Sequence, residues 1–143
     1  MEKQDTEGGQ VVPLEHHHPP RRGGVQQVWG AELGSQFTAI SAYFLINYSR
    51  AGLSATDFTF ICQLFFHKWD ERAPYPSLAK IAERMGVSHR YVRKVCASLE
   101  SRGFVRRELS KTGGSSRYHL DGLISKFEAM KLEDDAKEVA HAG

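Results

Sequence analysis

Between positions 89 and 94 the chain reads HRYVRK, and five of these six side chains carry polar hydrogens. The guanidinium groups of Arg90 and Arg93 each present paired N–H donors in one plane. That fork fits two acceptors at once, as on the O6/N7 edge of guanine or on a phosphate. Lys94 adds a point charge suited to either acceptor, and His89 and Tyr91 add a ring donor and a phenol. The chemistry on offer is recognition of a polar edge or an anion, not bond-making. Other reactive side chains are poorly grouped. His67, Asp70 and Glu71 stand at i, i+3, i+4, but no third ligand or Gly-rich phosphate loop accompanies them. His16, His17 and His18 are adjacent and cannot all face one ion from a regular element. Cys62 and Cys96 sit on apolar helical faces and read as two buried thiols. With no phosphate-loop or nucleophile-elbow motif, we expect no catalysis, no metal and no cofactor.

The elements that must hold these side chains follow from the apolar spacing. Leu78, Ile81, Ala82 and Met85 fall at i, i+3, i+4, i+7, one stripe of a helix. Val92, Val95, Cys96 and Leu99 repeat the stripe after a break of about three residues, the length of a helix–helix corner. Gly86 supplies the positive φ that ends the first helix. Ser77 and Ser88 are expected to cap the two helices through their hydroxyls. With the second stripe facing inward, Arg90 and Lys94 project outward, followed by the small Ala97 and Ser101. Arg93 and Tyr91 lie on the flanks, and His89 sits at the exposed first turn. Arg84 and Arg102 read as surface charges.

Around this corner the chain has a simple organisation. Residues 1–30 form a tail rich in Gly, Pro, His and charge, expected to be disordered or ordered by a partner. It lacks the apolar core of a secretory signal, and no apolar run reaches the length of a membrane span. FTAI reads as a short extended piece, and SAYFLINYSRAG as a helix capped by Ser41 with Gly52 past its end. Ser54 and Asp57 predict a capping box. The helix they open carries one stripe of Phe58, Ile61, Cys62, Phe65 and Trp69, with Phe60 and Leu64 on a second side. Pro74 and Pro76 end it before Ser77. After Gly103, FVRREL and RYHL read as two strands joined by the flexible tip SKTGGSS. Arg106 and Arg107 then point to opposite faces of the hairpin. A last helix carries Leu123, Ile124, Phe127 and Met130, and residues 131–143 form an acidic tail expected to fray. No internal repeat is visible.

At 143 residues with a net charge of +2, the chain is one domain with tails. The charge is unevenly distributed. Residues 77–120 hold 10 Lys+Arg against 3 Asp+Glu, or +7, while residues 1–76 carry −2 and residues 121–143 carry −3. A positive field focused on the helical corner suits a polyanion. A soluble, cytoplasmic, nucleoid-associated protein is the expectation.

Helix, corner, second helix and hairpin is the order of a winged helix-turn-helix. IAERMGVSHRYV matches the helix-turn-helix spacing, and LESRGFVRREL…GGSSRYHL resembles the wing of bacterial and phage winged-helix proteins. FTAISAYFLIN…LSATDFTFICQLF…YPSLAKIAERMG is similar to the small domains of plasmid and phage replication initiators and related transcription regulators. The resemblance covers residues 37–127. It implies a mainly α fold with a small β-hairpin wing, occupying 31–130, that binds double-stranded DNA. The second helix (88–102) would enter the major groove, with His89, Arg90, Tyr91, Arg93 and Lys94 facing the bases. Ser77, Lys80 and Ser88 would meet the backbone, as would Lys111, Thr112, Gly113, Gly114 and Arg117 of the wing (104–120). The role implied is transcription regulation, with replication initiation or maintenance at origin repeats as the alternative and a protein-interaction module as a third reading. Phe60 and Leu64, or the Leu123–Met130 helix, could serve a homodimer, and burial within the domain itself is the favoured account of either stripe. A protein partner is expected on the N-terminal tail or the 123–130 helix.

Overall fold

The computed structural model describes residues 24–68, 76–111 and 116–142. The chain divides between Phe37 and Thr38 into two compact units. The first contains α1 (Gly24–Leu33), interrupted at Gly30. Val28, Trp29 and Leu33 on it are exposed.

The second unit runs α2 (Ala42–Asn47), α3 (Ala55–Phe66), α4 (Leu78–Met85), α5 (His89–Ser101), β1 (Arg106–Glu108), β2 (Arg117–His119) and α6 (Asp121–Ala142). The expected caps form. Ser41 accepts from the Phe44 amide, and Ser54 and Asp57 make the reciprocal capping box at the head of α3. Each such cap is worth about 1 kcal/mol. The two strands pair antiparallel, Arg106 opposite His119, Arg107 opposite Tyr118 and Glu108 opposite Arg117. Cross-strand partners share a face, so Arg106 and Arg107 do point to opposite sides.

The core is built where α3 crosses α4 and α5. Phe60, Ile61, Leu64, Ile81, Val92 and Leu99 are the largest side chains fully withdrawn from solvent, each contributing about 1.5–3 kcal/mol of burial. Both faces of α3 contribute, Ile61 from one and Phe60 and Leu64 from the other. Phe60 and Leu64 lie at the centre, while Phe58, Cys62 and Phe65 are only partly covered; Trp69 lies outside the described residues. Phe60 and Leu64 therefore offer no dimer surface, as burial within the domain would have it. Phe60 and Leu64 are 0% exposed, and Leu123 and Phe127 are buried against the same core. Of the apolar residues expected along that helix, Ile124 alone is classed as exposed.

Residues 131–142 continue α6 as helix to Ala142. A clamp to α2 accounts for this. Asp134 accepts two hydrogen bonds from Arg50, at 2.9 and 3.1 Å, and one from the Tyr43 hydroxyl at 2.5 Å. Arg50 in turn donates to Asn47 at 2.8 Å. The Arg50 guanidinium, with the Tyr43 hydroxyl beside it, holds the Asp134 carboxyl well below the usual carboxylate range. Lys131 and Asp135 add an i,i+4 ion pair.

The wing is seated by a close approach. A Cβ at Gly122 would lie 2.2 Å from the Gly103 carbonyl oxygen. Only glycine lets the first turn of α6 press against the end of α5, where the Leu123 amide donates to the Phe104 carbonyl at 3.0 Å.

Candidate nucleic-acid interface

The corner between α4 and α5 is built as its residues dictate. Gly86 takes the left-handed conformation, φ 72° and ψ 30°. The Val87 amide then reaches back to the Ala82 carbonyl at 3.1 Å, closing the helix end. Ser88 turns the chain into α5, its hydroxyl oxygen accepting from the Tyr91 amide at 3.0 Å. Ser77 does the same for the Lys80 amide at 3.2 Å. Both hydroxyls are exposed and keep their own hydrogen for a further acceptor.

Val92, Val95, Cys96 and Leu99 face the core. Burial pushes the Cys96 thiol up to about 11, as befits an inert packing residue. Cys62 is partly buried and also free.

On the opposite side His89, Arg90, Tyr91, Arg93, Lys94 and Ala97 are all exposed, and no acidic residue precedes Glu100 on this helix. Tyr91 is 44% exposed and does not serve the core. None of Arg90, Arg93 and Lys94 makes an ion pair or hydrogen bond with any described side chain.

The other arginines of the basic segment behave differently. Arg102 is no mere surface charge. It donates to Asp57 at 3.0 Å and to the Gly52 carbonyl at 3.1 Å, and lies over the Phe104 ring. Arg84 is likewise engaged. It donates to His67 Nε2 at 2.8 Å and lies over Phe66. Burial, then the Arg84 charge, lowers the His67 pKa. Asp70 and Glu71 lie outside the described residues. Among those described, no group of His, Cys, Asp and Glu is placed to hold a metal, and no helix is long and apolar enough to cross a membrane.

In the wing, Lys111 is exposed beyond β1 and Arg117 is exposed on β2. Arg106, Glu108, Arg117 and His119 share one face of the hairpin. Its acid is already partnered, with Glu108 2.7 Å from His119 Nε2. That hydrogen bond holds the Glu108 carboxyl below its ordinary value. Thr112, Gly113 and Gly114 at the wing tip lie outside the described residues, as do His16, His17 and His18.

This geometry can be set beside known proteins. Residues 51–105 match the family model of a helix-turn-helix domain. With the hairpin that follows α5, the second unit has the architecture of a winged helix. Among solved structures, the N-terminal domain of DnaD protein from Geobacillus kaustophilus is similar, at 21% identity and a TM-score of 0.59. That match covers 80% of this chain and 96% of the other. The transcriptional regulator PA3341 also matches, at 24% identity and a TM-score of 0.41, covering 78% of this chain and 74% of that one. No curated protein sequence matches the chain.

Proposed function

We propose that this protein binds double-stranded DNA in a sequence-specific manner and regulates transcription from the sites it occupies. The reading is carried by one observation. The exposed face of α5 holds three cations without an ion-pair partner among the described residues, while Arg84 and Arg102 nearby are consumed by structural contacts. Arg90 and Arg93 read base edges, with His89, Tyr91 and Lys94 beside them. Ser77, Lys80 and Ser88 meet phosphates near the helix N-termini. Lys111 and Arg117, with the wing-tip residues Thr112, Gly113 and Gly114, meet the neighbouring backbone.

A role in replication initiation or maintenance uses the same face on repeated origin sites. It is supported by the resemblance of residues 37–127 to replication initiators. Selection of bound duplexes from a random pool, run with the wild type and with Arg90→Ala/Arg93→Ala, tests the proposal. A defined motif that the double variant no longer selects is the expected result. Inverted half-sites about one helical turn apart point to a dimeric regulator, and direct repeats point to the origin role. Absence of duplex binding at low salt would falsify both and move the function to protein partners.

A further inference from the structure

Between α2 and α6 the fold leaves a half-open cavity of about 320 Å3, walled by Tyr43, Phe44, Phe65, Ile124 and Phe127. That volume falls within the range of small-molecule sites, and an apolar lining with few polar groups is their usual make-up. The walls are held by their own packing. Phe44 and Phe127 meet edge to face at 5.0 Å, and Tyr43 meets Phe127 in the same manner at 6.4 Å.

Two charged residues, Glu128 and Lys131, also line the cavity. The Lys131 ammonium is taken, lying 3.1 and 3.3 Å from the two oxygens of Asp135. The Glu128 carboxylate makes no ion pair or hydrogen bond with any described residue. Lys131 also lies over the Tyr43 ring, 5.9 Å from its centroid, so among the described residues the lining charge left without an ion-pair partner is the carboxylate of Glu128. We propose that this cavity binds a lipophilic organic cation, its apolar body among the four rings and its ammonium group at Glu128. An aromatic acid is the poorer fit, because its carboxylate meets Glu128 while Lys131 is already paired.

The site has a route to the wing. α6 begins one residue after β2 ends, and the Leu123 amide is bonded to Phe104 at the start of the hairpin. An occupant that shifts α6 shifts the wing with it, a consequence that rests on the DNA-binding reading, whereas ligand binding itself does not.

The test is a titration of the full chain followed by amide NMR, with benzyltrimethylammonium, phenylacetate and benzyl alcohol as probes. Benzyltrimethylammonium is expected to move the Tyr43, Phe127 and Glu128 amides, and to bind at least about tenfold more tightly than phenylacetate. Glu128→Gln is expected to weaken the cation about fivefold and to leave benzyl alcohol unchanged. Ala39→Trp, which sets an indole in the exposed mouth, is expected to abolish binding of all three. Equal binding of phenylacetate, a Glu128→Gln variant that binds the cation as the wild type does, or no response at these amides overturns the proposal. No DNA is present in this titration, so it fails or succeeds independently of the duplex reading. Duplex affinity with and without the cation is measured second. A change supports the coupling to the wing, and no change overturns that coupling alone.

Discussion

The Arg102 guanidinium lies 3.0 Å from the Asp57 carboxylate, joining the end of α5 to the head of α3 across 45 residues of sequence. Asp57 also accepts from the Ser54 amide at 2.9 Å as half of a capping box, so one carboxylate caps one helix and anchors another. Arg102→Met leaves Asp57 largely buried with one partner fewer. The expected cost is about 1 kcal/mol, reduced from that of a fully buried pair by the exposure of the arginine. Urea unfolding measures it. Duplex affinity in the folded variant is expected to be unchanged, because Arg102 belongs to the scaffold.

Arg90→Ala and Arg93→Ala are expected to do the opposite. Each leaves the urea midpoint unchanged and costs about 1–3 kcal/mol of affinity for the selected motif, with relaxed choice at one base pair. Lys80→Ala and Lys111→Ala weaken binding to every duplex alike and shallow the salt dependence by about one ion each. Titrations at several salt concentrations separate the two classes.

Ser88→Asp separates fold from binding at a single position. Aspartate caps a helix as well as serine does, so thermal stability holds to within about 0.5 kcal/mol. A negative charge where a phosphate is to sit lowers duplex affinity by about tenfold at low salt. Retained affinity would exclude Ser88 from the contact.

Acid sensitivity follows from Asp134. Its carboxyl titrates lower in the folded chain than its unfolded value of about 3.9. A depressed carboxyl stabilises the fold fully above the unfolded value, and that stabilisation is lost as pH falls through the folded one. The wild type is therefore expected to exceed Asp134→Asn in urea midpoint at neutral pH, and the gap is expected to narrow progressively as pH falls below about 5. Hydrogen exchange at neutral pH should show the variant opening first at the C-terminal turns of α6.

Gly122→Ala brings a methyl group against the Gly103 carbonyl and is expected to cost about 1–3 kcal/mol, read as a lower thermal midpoint. If Gly122→Ala matches the wild type, the seam is softer than its geometry indicates.

The helical corner was legible because each local signal agreed with the next. Two 3.6-residue stripes, Gly86 between them and a serine before each helix all specify the same turn. The exposure of HRYVRK followed from the same wheel. What the sequence did not reveal depends on partners distant along the chain. Nothing near α6 announces that Arg50 and Tyr43 will hold Asp134 and keep the last turns wound. Arg84 and Arg102 look like Arg90 and Arg93 until His67, Gly52 and Asp57 are placed beside them. The two faces of α3 are both apolar, so periodicity could not rank Phe60 and Leu64 above Phe58 and Phe65; the packing of α4 and α5 decided it. Gly122 offered no signal at all, because its reason is the Gly103 carbonyl in the turn that follows α5.

The seam at Gly122 has a consequence for how a duplex is measured. The end of α5, the start of β1 and the first turn of α6 meet at one tight junction, so the hairpin is set at a fixed span from the recognition helix. In the proposed complex the protein acts as a calliper, with one jaw in a groove and the other on the adjoining backbone. Such an instrument gauges groove spacing as well as base identity. Two sites with the same contacted bases but different helical pitch will not be gripped alike.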